Sequence, residues 1–142
     1  MNKPIRAKIS ALGTYVPPRL LTNADLERMV DTNNDWILTR VGIRERHIVD
    51  PGVATSDLAV EATKKALQQR GLTPADIELI VLGTVTPDML FPSTACVVQN
   101  KLGAKGAWGF DLVAACSKTE AEEPTSRIPV DDTFFPLYRR GS

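Results

Sequence analysis

Leu79-Ile80-Val81-Leu82 is the stretch that most narrows what this chain can fold into. A continuous apolar run, too short for a buried helix, reads as a strand covered on both faces. Its flanks set the class. Upstream, Ser56 to Arg70 reads as a helix whose buried stripe is Leu58, Ala59, Ala62, Ala66 and Leu67, with Gly71 placed for a C-cap. Thr73-Pro74-Ala75-Asp76 then supplies an N-cap, a proline at the first helical position and an acid in the first turn. Downstream, a loop through Pro87 and Pro92 leads to a helix over about Ser93 to Leu102, ended by Gly103, and Trp108 to Val113 is a further strand. Helix, strand, helix, strand in this order predicts an α/β fold with a parallel-rich sheet and packed helices.

The preceding residues are patterned more loosely. Ala7 to Val16 alternates through Ile9, Ala11 and Gly13 until Pro17-Pro18 stops it, which reads as a first strand. Thr22 with Asp25 three residues on resembles a capping box, and Leu21 and Leu26 sit where a hydrophobic staple would pair. Leu26, Met29 and Val30 then form one helical face. A second short helix begins near Asn34 and places Trp36 and Arg40 on one side, until Gly42 ends it. Ile43 to Val49 reads as an extended arm closed by the Asp50-Pro51-Gly52 turn.

Charge excludes several function classes. The 17 basic and 17 acidic side chains give zero formal net charge, without the clustered Lys and Arg of a nucleic-acid stripe or a polybasic membrane patch. No apolar run approaches the roughly 18 residues needed to span a bilayer. Met1 to Ile9 mixes Lys3, Pro4, Arg6 and Lys8 without an apolar core, so no secretory signal is expected and the cytoplasm is the expected compartment. Neither a metal site nor a bound cofactor is expected. The two cysteines, Cys96 and Cys116, read as a packed side chain and a possible nucleophile rather than a disulfide.

Asp111-Leu112-Val113-Ala114-Ala115-Cys116-Ser117 carries the chemistry. An apolar strand runs into small residues and then a thiol. A helix beginning at Cys116 would favour the thiolate through its unpaired N–H groups and dipole. Ala114 and Ala115 would let a thioester carbonyl approach the sulfur, and thiolate attack passes the acyl group to the enzyme without a strong base. On these residues alone a buried core thiol, the commoner setting of a free Cys, stands as the alternative. So do a surface cation–π pair for Trp36 and Arg40, and a loop closed over the core for Phe91.

Four blocks together resemble a known family. They are Thr22-Asn23-Ala24-Asp25-Leu26-Glu27; Asp35-Trp36-Ile37 with Thr39 through His47; Phe91-Pro92-Ser93-Thr94-Ala95-Cys96; and Phe110-Asp111 leading to Ala114-Ala115-Cys116. In order and spacing, over residues 5 to 117, they resemble β-ketoacyl-acyl-carrier-protein synthase III. The resemblance implies the amino-terminal half of a thiolase-like fold and a homodimer. It implies that acetyl-coenzyme A or another acyl-coenzyme A acylates a cysteine, and that malonyl-acyl-carrier protein loses carbon dioxide and attacks that acyl group. Carried over residue by residue, it makes Cys116 the acylated nucleophile and places Trp36, Arg40 and Thr32 at the adenine end of coenzyme A. It sends Phe91 across the dimer interface towards the partner's acyl pocket, and leaves His47 without a catalytic role.

After Ser117 the resemblance stops. Lys118-Thr119-Glu120-Ala121-Glu122-Glu123-Pro124 has no apolar stripe, and a proline there interrupts a helix. Burying those charges unpaired would cost several kcal/mol each, so the segment is not expected to replace the family's central helix. Residues 1–117 are therefore expected to form a thiolase-like domain and residues 118–142 an unrelated or frame-shifted tail. The family's catalytic His and Asn lie in a second half that is expected to be absent, with a loss of about 10²–10³ in rate for each missing electrophilic donor. Two readings follow: an enzyme segment by descent that is inactive alone, or a non-catalytic truncated product or assembly partner supplying half of a thiolase-type fold. Exposed apolar strands are expected to make such a chain seek a partner or aggregate. A Cys hydrolase would need a base and a G-x-C-x-G elbow that the sequence lacks.

Overall fold

The structure, a computed structural model, describes residues 7–113 of the 142-residue chain. It forms two compact units. One is Tyr15–Ala54, and the other joins residues 7–14 to residues 55–113. The expected boundary at residue 117 lies outside the described residues.

In the smaller unit β1 (Arg19–Thr22) pairs antiparallel with β2 (Glu45–Ile48), from Arg19 opposite Ile48 to Thr22 opposite Glu45. Thr22 ends β1 and caps helix α1 (Asn23–Glu27). Its hydroxyl accepts from the Asp25 amide at 3.2 Å, and the Asp25 carboxylate accepts from the Thr22 amide at 2.9 Å and hydroxyl at 2.7 Å. Those Thr22 bonds, with the Arg28 guanidinium, hold the Asp25 carboxyl below its ordinary range. The capping box is thus as read, but the expected helical face is not. Helix α1 ends before Arg28, so Met29 and Val30 lie beyond it and are exposed. Helix α2 (Asn34–Val41) starts and ends as the sequence predicts, and the arm after it is the strand β2.

The larger unit holds helix α3 (Thr55–Arg70), a 3₁₀ turn at Pro74–Asp76, strand β3 (Leu79–Gly83), helix α4 (Thr94–Leu102) and strand β4 (Trp108–Leu112). β3 and β4 are parallel, running from Leu79 opposite Trp108 to Gly83 opposite Leu112, with α4 between them in the chain. Ile80 and Leu82 of β3, Ala95 and Val98 of α4, and Ala59, Val60 and Leu67 of α3 form the core. The α3 stripe is shifted from the expected one: Val60 is buried, while Leu58, Ala62 and Ala66 are only half-buried.

Two strand expectations are corrected. Ala7–Val16 is not a strand; the first strand lies past Pro17-Pro18. Side chains of α3 take up backbone groups there instead. The Gln69 amide accepts from the Leu12 N–H at 3.4 Å and donates to its carbonyl at 2.7 Å, and the Lys65 ammonium donates to the Thr14 carbonyl at 2.9 Å. Gly13 sits so close to α3 that a β-carbon would run into the Ala62 carbonyl and lie 2.7 Å from the Ala66 nitrogen. Nor, among the described residues, is β3 covered on both faces. Its burial alternates, with Ile80 and Leu82 inward and Leu79 and Val81 half-buried, because α3 and α4 pack on one side. On the other side Trp108 is 63% exposed, 6.0 Å from the Phe110 ring, and Leu112 is also exposed.

Gly109 faces the helices. A β-carbon there would lie 2.8 Å from the Ile80 carbonyl oxygen and 3.1 Å from the Ala95 methyl. Gly109→Val is therefore expected to lower stability by about 2–3 kcal/mol through overpacking, read as a fall in the urea midpoint. Phe110→Val, on the exposed face of the same strand, serves as the control, with a smaller shift.

Candidate functional site

Helix α2 is built from both ends to present one face. Asn33 is the N-cap, its side-chain oxygen accepting from the Trp36 amide at 2.8 Å, which satisfies an otherwise orphaned donor. Gly42 closes the other end at φ 69°, a left-handed conformation, with its N–H on the Leu38 carbonyl at 3.0 Å. Ile37 is the buried residue of the helix. Trp36 and Arg40, one turn apart, stay exposed, and the Arg40 guanidinium carbon lies 6.0 Å from the indole centroid. Trp36 remains 56% exposed, so its ring is open to a flat ligand while the guanidinium can stack or pair with phosphate. Thr32 is half-buried in the irregular segment just before Asn33. The shared face expected of Trp36 and Arg40 is thus present.

The larger unit carries the rest. Phe91 lies in the loop between β3 and α4 and is 88% exposed, beside a fully exposed Leu90, which corrects the alternative of a ring closed over the core. The loop is tied down on both sides of that tip. Thr55 Oγ1 donates to the Thr86 carbonyl at 2.7 Å, the Asp88 carboxylate accepts from the Ser56 amide at 2.9 Å, and the Asp88 amide donates to Thr94 Oγ1 at 3.0 Å. Ser56 and Thr94 are fully buried. Lys101 Nζ completes the cluster, 2.7 Å from Ser56 Oγ and 2.5 Å from Asp57 Oδ1.

Asp111 is the residue whose role sequence reasoning missed. Its carboxylate accepts from the Thr94 and Ala95 amides, both at 2.7 Å. It thereby joins the end of β4 to the start of α4, where the dipole also favours an anion. A signal existed: Asp is disfavoured within strands unless its carboxylate is held. Cys116, the candidate nucleophile, lies outside the described residues, a short way past β4. Cys96 is half-buried rather than buried, and the Ser93 hydroxyl donates to its sulfur at 3.2 Å. His47 is exposed on β2, with Nδ1 2.6 Å from the Pro17 carbonyl. Among the described residues no group of three His, Cys, Asp or Glu is placed to hold a metal ion, and no helix is long and apolar enough to cross a membrane.

No family model matches the chain. Individual proteins do. A β-ketoacyl-[acyl-carrier-protein] synthase III of Koribacter versatilis is 70% identical over 117 residues, covering 82% of this chain and 35% of the relative. One from Caldanaerobacter subterraneus is 56% identical over 117 residues, with 82% and 35% covered. Among solved structures, 3-oxoacyl-[acyl-carrier-protein] synthase III of Aquifex aeolicus superposes with a TM-score of 0.71 at 48% identity, over 75% of this chain and 34% of the other. The priming β-ketosynthase of the R1128 polyketide pathway also gives 0.71, at 34% identity, over 79% of this chain and 34% of the other. The chain spans about a third of the length of the curated relatives it matches. Over those matched residues it has their thiolase-like α/β fold and corresponds to the amino-terminal part of β-ketoacyl-[acyl-carrier-protein] synthase III.

Proposed function

We propose that this chain provides the coenzyme A-facing and acyl-accepting part of a chain-initiating condensing enzyme. Trp36 stacks on the adenine of an acyl-coenzyme A, Arg40 pairs with its phosphate, and Thr32 borders them. The Cys116 thiolate attacks the thioester carbonyl. A new carbon–sulfur bond forms, the bond to coenzyme A breaks, and coenzyme A leaves as its thiolate and takes a proton. Coenzyme A thus enters as part of the substrate, and the acetylation step needs neither metal nor cofactor. Malonyl-acyl-carrier protein is the second substrate, and Phe91 reaches a second copy of the subunit in the cytoplasm.

One observation carries this reading: an open indole with a guanidinium 6.0 Å from its centroid, on a helix capped at both ends. Stacking and charge pairing on a nucleotide are what those two groups do best at such spacing. Titration of the chain with coenzyme A, followed by calorimetry, tests it. Trp36→Ala and Arg40→Ala are each expected to weaken binding about tenfold. Unchanged affinity in both would refute the assignment of α2.

A second reading, a non-catalytic assembly partner supplying half of a thiolase-type fold, draws on the apolar sheet face formed by Trp108, Phe110 and Leu112. A β-ketoacyl product above background from acetyl-coenzyme A and malonyl-acyl-carrier protein would rule this reading out.

A further inference from the structure

Asn23 is 3% exposed, and its side chain makes three hydrogen bonds to described residues outside its own helix. Its Nδ2 donates to Asn34 Oδ1 at 3.0 Å and to the Ile43 carbonyl at 2.9 Å; its Oδ1 accepts from Arg46 Nη1 at 2.8 Å. Asn34 is the first residue of α2, and Ile43 follows Gly42, the cap that ends it. One buried amide therefore grips both ends of the helix that carries Trp36 and Arg40, and ties it through Arg46 to β2. Glu27, one turn on from Asn23, adds a second hold, its carboxylate accepting from the Asn34 amide at 2.6 Å.

We propose that Asn23 is a positioning residue for coenzyme A binding: it fixes the orientation of α2 and so presents the Trp36–Arg40 pair to the nucleotide. This rests on the reading of α2 as the coenzyme A-binding helix. An amide suits the task where other side chains of its size do not. Two acceptors, Asn34 Oδ1 and the Ile43 carbonyl, need donors from one point, while the Arg46 guanidinium needs an acceptor from the same group. Asp could meet only the last of these. Because the Asn23 side chain is itself buried, its end of each of these part-buried bonds meets little competition from water.

Asn23→Asp separates positioning from bulk stability, because it keeps the size of the side chain and its contact with Arg46 but loses both donors to α2. In a Trp108→Phe background, where Trp36 is the sole tryptophan, coenzyme A affinity and Trp36 anisotropy are measured together. Asn23→Asp and Asn23→Ala are each expected to raise the dissociation constant about tenfold and to lower the anisotropy of Trp36. Thr22→Ala, which removes the α1 cap but leaves the three Asn23 bonds in place, should lower the thermal midpoint while leaving affinity within about twofold. Wild-type affinity and anisotropy in both Asn23 variants, with binding lost in Trp36→Ala, would overturn the proposal and leave the coenzyme A reading intact. An equal loss of affinity in Thr22→Ala would overturn it as well, since destabilisation alone would then suffice. Unaltered binding in Trp36→Ala would remove the coenzyme A reading and this inference with it.

Discussion

Incubated with acetyl-coenzyme A, the 142-residue chain gains one acetyl group on Cys116, and Cys116→Ser gains none within the same time. The loss in rate is expected to be at least about a thousandfold, because an alcohol at neutral pH presents almost no anion where the thiol presents a reactive thiolate. Peptide mass spectrometry locates the adduct. The other thiol is the internal control. The Cys96 sulfur is half-buried in α4 and accepts from the Ser93 hydroxyl at 3.2 Å, so Cys96→Ser should acetylate as the parent does. Adding malonyl-acyl-carrier protein should yield no β-ketoacyl product. The single histidine, His47, sits on β2 with its ring at the Pro17 carbonyl, where nothing equips it to stabilise an enolate. An acetyl group on Cys96 with none on Cys116 would defeat the assignment of the nucleophile.

Local chemistry decided which parts of the fold the sequence disclosed. Ser93, Gly42 and Gly103 mark helix ends because a cap needs only its own neighbours, and all three stand where the sequence puts them. The β3–α4–β4 order was legible for a similar reason, since apolar runs and helical stripes alternate along the chain. What failed depended on partners far off in the chain. Ala7–Val16 has the alternation of a strand, but Gln69 and Lys65 of α3 take up backbone groups of Leu12 and Thr14. Met29 and Val30 continue an apolar spacing past the point where the five-residue helix α1 stops. In β4 the large apolar residues, Trp108, Phe110 and Leu112, face away from the helices, while Gly109 and Asp111 face towards them. Alternation gave the period of that strand but not its phase. Trp36 and Arg40 were readable as a pair because four residues make one helical turn; Asn23 was not, because nothing in Thr22-Asn23-Ala24 distinguishes a buried amide from a solvated one.

Replacing Asp111 should have the largest effect on folding of any single change outside the apolar core. In α4 the first amides have no partner within the helix. Ser93 takes the Cys96 amide, and the Asp111 carboxylate takes those of Thr94 and Ala95, both residues fully buried. In Asp111→Ala two buried donors lose their acceptor together, at about 1–3 kcal/mol each, with further loss of charge–dipole attraction. The sum, about 3–6 kcal/mol, approaches the whole stability of a small domain, so the variant should unfold at low urea or fail to accumulate folded. Asp111→Asn keeps one oxygen and turns an amide nitrogen towards the other donor, so it should fall between the two. A surface carboxylate gives the scale: Asp50 pairs with Arg19 at 3.5 Å in the open, and Asp50→Ala should change stability by less than about 1 kcal/mol. Thr94 also accepts from the Asp88 amide, so losing the carboxylate loosens the base of the Phe91 loop as well as the end of β4. Urea midpoints for Asp111→Ala and Asp50→Ala that agree within error would mean that this carboxylate holds nothing together.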